Sequence, residues 1–167
     1  VTSTNITLVQ PLILSGGPQH QRTSYVNQWT FGVQRSLTSN LVVELAYVGS
    51  QSHKLRREAS VNVPIPGPGS PSNNRPFPQF GFIQYPDNET NANYNALQFR
   101  IEKRLSQGVT VLSAFTYSKS IDNSSGVRPG AGDILQMNNP YNIGSGERGL
   151  SAYNAKFRSV TSGLYQL

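Results

Sequence analysis

The sequence predicts an all-β fold, an antiparallel meander of long hairpins. Three observations predict it. Apolar and polar residues alternate with period two along several segments. Short polar turns join those segments in pairs. Much longer stretches rich in Pro, Gly, Asn and Ser separate the pairs.

The elements follow in order. Between residues 25 and 35 the odd positions are Tyr25, Asn27, Trp29, Phe31 and Val33, and the even positions Val26, Gln28, Thr30, Gly32 and Gln34. Residues 40–49 set Leu41, Val43, Leu45 and Tyr47 against Val42, Glu44, Ala46 and Val48. Ser36 to Ser39 turn the chain between them, so the two make a hairpin. The pattern recurs at 94–105, with Leu97, Phe99 and Ile101 on one face, and Lys103 interrupting it near the turn. At 109–118 Val109, Val111, Phe115 and Tyr117 oppose Thr110, Leu112, Ala114 and Thr116. Ser106, Gln107 and Gly108 form the second turn, where Gly108 supplies the positive φ that a short hairpin loop needs. A further strand is expected at 156–167 and a short one at 80–85; residues 6–14 are apolar enough for another, interrupted by Pro11. The long loops fall at 50–90 and 119–154, and loops of this length are rare in compact soluble domains.

Composition narrows the class. Hydrophobic residues are 36% and charged residues 13% of the 167-residue chain, against about 45–50% and about 25% in soluble domains. Eight Tyr, seven Phe and one Trp argue against disorder. The absence of Cys excludes disulfides and Cys-based zinc sites. The net charge of +6 is scattered, with Lys54, Arg56 and Arg57 the densest basic cluster, so nucleic acid is not an expected partner. Nothing approaches the ~18 consecutive apolar residues of a spanning helix. The opening Val1-Thr-Ser-Thr has neither a signal-peptide pattern nor an initiator Met, which suggests a piece of a longer chain.

Two architectures share this alternation. A soluble β-sandwich would bury the odd face as its core. A membrane barrel would turn that face to hydrocarbon and its polar face, with Arg100 and Glu102, to a wet lumen. Each spanning strand needs ~9–11 residues, which the segments supply. Tyr25, Tyr47, Tyr94 and Tyr117 fall at the expected strand ends, where amphipathic rings sit at lipid headgroups. Short turns on one side and long loops on the other favour a partial segment of a large transmembrane β-barrel with long extracellular loops. The discriminating residues are Trp29, Phe31, Leu45, Phe99 and Phe115, which meet in a dry interior only in the sandwich.

Tyr25-Val-Asn-Gln-Trp-Thr-Phe-Gly-Val-Gln-Arg35, followed by Leu41 to Ser50, resembles the barrel of Oar-like TonB-dependent transporters. So do Arg75-Pro-Phe-Pro-Gln-Phe80, Asn93-Tyr-Asn-Ala-Leu-Gln98, Phe115-Thr-Tyr-Ser-Lys-Ser-Ile-Asp122, Glu147-Arg-Gly149 and Ser162 to Leu167. The resemblance implies a barrel of about 22 strands in the outer membrane of a Gram-negative bacterium. It also implies a plug domain and the TonB complex as partners of the full-length protein, with outer-membrane lipid around it. The function implied is pore wall and extracellular loops for energy-coupled uptake. No plug or TonB box is found within the chain, and the loops identify no substrate. The alternative is an extracellular β-rich binding or adhesion domain without a membrane role.

No enzyme, cofactor or metal site is expected. His20 and His53 stand in loop-like contexts without metal-ligand spacing. Asp122 and Asp133 lack an EF-hand pattern. Residues 126–132 form a glycine-rich run without the Lys-Ser/Thr of a phosphate loop. Ser113 and Ser118 have no base nearby in sequence. The sequons at Asn5, Asn88 and Asn123 are read as chance matches in an Asn-rich chain. Lys54, Arg56 and Arg57 follow a spanning strand and suit a solvated loop better than lipopolysaccharide phosphates. No substrate-binding residue is assigned; any ligand contact is expected in the two long loops.

Overall fold

The computed structural model describes residues 12–106, 108–126, 141–142 and 146–166. They form β1 (Leu12–Ser15), β2 (Tyr25–Thr38), β3 (Leu41–Ser60), β4 (Phe80–Ser106), β5 (Val109–Asp122), β6 (Gly149–Leu150) and β7 (Phe157–Tyr165). All belong to one sheet in the order β2-β3-β4-β5, with β6 and β7 paired to β5 and β1 to β4. Every pairing is antiparallel except that of β1 with β4. The expected meander of long hairpins is therefore present.

The two tight turns form as their residues dictate. Ser39 and Asn40 alone link β2 to β3, and the Thr38 hydroxyl donates to Asn40 Oδ1 at 2.7 Å. Gly108 has φ 78°, and a Cβ there would lie 2.9 Å from the Gln166 carbonyl. Only glycine fits both demands.

Register fixes the faces, because directly opposed residues share one. One row runs Phe31, Tyr47, Leu97, Tyr117, Phe157, and the next Val33, Leu45, Phe99, Phe115, Ser159. The other face carries Gly32, Ala46, Gln98, Thr116, Arg158 and then Gln34, Glu44, Arg100, Ala114, Val160. The first is an apolar face and the second a polar one.

No core covers the apolar face. Trp29, Phe99 and Phe115 are each 40% exposed, Leu45 50% and Phe31 71%. Among the described residues the buried apolar side chains are Ala46 and Ala96, both on the polar face. A sandwich would show the reverse.

Four strands outrun the expected boundaries. β2 continues to Thr38, β3 to Ser60 rather than 49, and β5 to Asp122 rather than 118. β4 begins at Phe80 rather than 94, absorbing the short strand expected at 80–85. Much of the expected loop at 50–90 is thus a polar hairpin, and its strand-free part is residues 61–79. Alternation of apolar residues could not reveal this, since residues 50–60 and 86–95 are mostly polar. Pro86 is tolerated inside β4 because it lies beyond the pairings of both β1, ending at Gln84, and β5, ending at Ala92. Of the strand expected at 6–14, only the part from Leu12 lies among the described residues. Residues 127–140 and 143–145 of the loop at 119–154, with Asp133, Pro129, Pro140 and most of the glycine run 126–132, lie outside them, as does Asn5.

Trp29 lies across Gly49 on β3, where an added Cβ would meet the indole at 2.3 Å. A glycine under a cross-strand aromatic lets the ring lie flat on the backbone. Gly49→Val is expected to lift the indole off β3. The readout is emission from Trp29, the chain's one tryptophan; an unchanged emission maximum and unchanged quenching would contradict this packing.

Candidate functional site

The two faces are the functional surfaces, and each is built by strand register. On the polar face, Glu44 on β3 opposes Arg100 on β4. Arg100 Nη1 is 3.9 Å from Glu44 Oε2, and its Nη2 donates to Glu102 Oε2 at 3.1 Å. Arg104 Nε adds a contact to Glu102 Oε1 at 3.3 Å. These side chains are 32% to 67% exposed, so each pair contributes about 0.2–1 kcal/mol at most. Their significance is that a charged ladder stands wet beside the apolar rows. A depression of about 310 Å³ opens next to it, lined by Glu44, Gln98, Arg100 and Thr116 among others.

On the apolar face the greasy rows have polar borders. Toward the tight turns they end at Arg35 and Lys103; at the other end come Asn95 and Lys119, opposite each other. Tyr47 donates to Asn95 Oδ1 at 2.6 Å. A band of apolar side chains, bounded by polar groups and backed by a hydrated charged face, is what a bilayer asks of a β-strand wall. The family model for the outer membrane beta barrel domain matches residues 1–167.

The chain belongs to the outer membrane beta barrel domain family. Its place is the outer membrane. No curated protein and no solved structure matches it.

Several residues of this barrel chain stand elsewhere than expected. Tyr25 begins β2, but Tyr47, Tyr94 and Tyr117 lie within strands. Tyr94 also opposes Ser50 and Ser120 on the polar face, so it does not share a row with Tyr47 and Tyr117. Period two itself requires this, because Tyr94 has the parity of Ala96 and Gln98.

The basic cluster is not one loop patch. Lys54, Arg56 and Arg57 all lie in β3. Arg57 is buried and makes a two-pronged pair with Asp87, Nε to Oδ1 at 2.7 Å and Nη2 to Oδ2 at 2.8 Å. Such fork geometry is the strong form of a charge-assisted bond. Arg56 is exposed and 3.6 Å from Glu58. Lys54 has φ 55°, rare for a residue with a side chain. It sits in a bulge where His53 and Lys54 together face Asn91, whose Oδ1 accepts from the Lys54 N–H at 3.4 Å. Its ammonium lies 5.3 Å from the Tyr25 ring centre, and His53 stacks on the same ring. Arg22, Tyr25, His53, Lys54 and Asn88 help line a cavity of about 360 Å³ there.

The other candidates take structural parts. Asp122 is buried and accepts from the Ser125 hydroxyl at 2.9 and 2.8 Å. Ser118 donates to the Ala155 carbonyl at 2.7 Å, and Ser113 pairs with Thr161. Asn88 donates to the Lys54 carbonyl at 3.1 Å. Asn123 Oδ1 accepts from the Asn91 N–H at 3.3 Å. Among the described residues no group of three His, Cys, Asp or Glu could hold a metal ion. The sequence reading missed the Asn residues that organise the polar hairpin. Their abundance was visible, but which Asn meets which backbone depends on register.

Proposed function

We propose that this chain is part of the barrel of a TonB-dependent transporter, forming pore wall and extracellular loops for energy-coupled uptake. The observation that carries the reading is the exposed ladder Glu44, Arg100, Glu102 and Arg104 on the polar face. Barrels of about eight strands fill their interior with side chains, whereas wide barrels leave room for water or a plug. A run of charges left half exposed suits the wide kind. The apolar face meets lipid, the tight turns face the periplasm and the hairpin of β3 and β4 projects outward. The sequence resemblance of residues 25–167 to Oar-like transporters points to the same class. A plug domain and the TonB complex are then partners of the full-length protein, and the role is passage through a wall rather than catalysis.

Conductance tests this. The full-length protein in planar bilayers is expected to stay closed under a steady potential, because a plug fills the lumen. A channel that stands open from the moment of insertion would sink the transporter reading and leave a passive pore.

A further inference from the structure

Outside the lumen, the apolar face carries a second ordered feature, a cationic border at its loop end. Lys119 lies in the row of Trp29, Gly49 and Asn95. One row further out, the Arg148 guanidinium donates to Asn93 Oδ1 at 2.7 Å, and Asn93 opposes Gln51 and Ile121 on this same face. Beyond that row the Lys54 ammonium rides over Tyr25. The cations therefore run obliquely across β3, β4 and β5. We propose that Lys54, Lys119 and Arg148 bind the phosphate groups of the glycolipid that forms the outer leaflet.

Height supports the placement. Lys103 on the tight-turn border and Asn95, which opposes Lys119, are eight residues apart along β4. That is about 27 Å of strand, or about 20 Å of height at a tilt near 40°, close to the ~25 Å outward apolar band of such barrels. Lys119 thus stands where acyl chains give way to phosphates. Charge supports it too. Two acidic side chains nearby are directed elsewhere: Glu89, half exposed, is 3.9 Å from Arg57, and Asp122 opposes Ala92 on the polar face; Glu147, which has a partner of its own, precedes Arg148. The bulge at Lys54 is the third support, since a side-chain-bearing residue at positive φ holds an unfavourable conformation that turns its ammonium onto Tyr25. A phosphate reaching the cavity of about 360 Å³ there would meet Arg22, Lys54 and His53, with one carboxylate, Glu89, also on the lining.

The inference rests on the outer-membrane barrel and not on the transport reading, so an open channel in the conductance test leaves it intact. The probes are lipid A with both phosphates, the same lipid dephosphorylated, and inorganic phosphate. Binding to the full-length protein in detergent micelles is measured by native mass spectrometry. Each cation near an anionic surface contributes about fivefold in affinity. The triple variant Lys54→Gln, Lys119→Gln, Arg148→Gln is therefore expected to bind the phosphorylated lipid about 100-fold more weakly. The wild type is expected to bind the dephosphorylated lipid comparably weakly, and free phosphate at equal concentration not to compete. The double variant Arg35→Gln, Lys103→Gln at the opposite border is expected to bind as the wild type does. Equal binding of the two lipids by the wild type overturns the proposal even where the triple variant fails to fold. So does retention of affinity in a folded triple variant, and so does competition by free phosphate.

Discussion

Val33→Arg is expected to block stable membrane assembly, while Gln34→Arg, one residue along, is expected to be tolerated. Val33 shares the central row with Leu45, Phe99 and Phe115, midway between the cationic borders of the apolar face. An arginine at the bilayer midplane of a barrel costs about 2–4 kcal/mol, which is about 30-fold to about 700-fold in the folding equilibrium. Gln34 points to the polar face and opposes Glu44, already within 3.9 Å of Arg100. A second guanidinium there finds water and a carboxylate. The measurement is denaturant unfolding of the full-length protein from lipid vesicles, with heat-modifiable gel migration as the check on folding. The pair of variants places the same arginine on neighbouring positions of the same strand, one on each face. If both variants fold equally well, or Gln34→Arg is the worse, the assignment of faces is wrong.

That contrast also marks how far the sequence could be read. Within the apolar band, burial is not what patterns the residues; the solvent on each side is. Trp29, Phe31, Leu45, Phe99 and Phe115 repeat with period two because one side of the wall excludes polar groups, and this signal survives in one sequence. The tight turns were legible for a local reason, the positive φ at Gly108. Where β3 and β4 leave the band, both faces of the hairpin become polar and the period disappears. The strands persist there through nonlocal bonds that spacing does not encode. Thr90, 2% exposed, donates to the Leu55 carbonyl at 2.9 Å, and Arg57 grips Asp87 thirty positions away. The ladder of Glu44, Arg100 and Glu102 was legible in part, since the parity of Arg100 and Glu102 put both on the wet face. Glu44 joins them only through the register of β3 on β4.

Asn62→Ala is expected to release the loop between β3 and β4 without unfolding the wall beneath it. Asn62 is 1% exposed and works as a clasp. Its Nδ2 is within bonding distance of the carbonyls of Phe77 (3.0 Å), Phe80 (2.9 Å) and Gly81 (2.8 Å), which share its two hydrogens. Its Oδ1 accepts from the Phe77 N–H at 2.9 Å. One side chain thus satisfies backbone groups at both ends of a turn in a Pro-rich segment. Alanine removes these partners, at about 1–3 kcal/mol for each group then left unpaired where water cannot reach; the Phe77 carbonyl keeps the Phe80 N–H at 3.0 Å. A net loss of about 3 kcal/mol raises local opening about 100-fold. Asn62→Asp separates shape from bonding: the carboxylate keeps the outline and the acceptor, loses both donors, and faces three carbonyls. It should open the loop at least as much as alanine does. Amide hydrogen exchange of residues 61–81 in the full-length protein reads this directly, against strand amides around Leu45 and Phe99 as the internal reference. Exchange that rises about 100-fold in the loop alone fits the clasp. Exchange unchanged in both variants would mean that the loop is held by other contacts. On the transport role proposed above, this loop would be the first surface that arriving cargo meets, and a clasped loop keeps its shape before contact, so less ordering is left for binding to oppose.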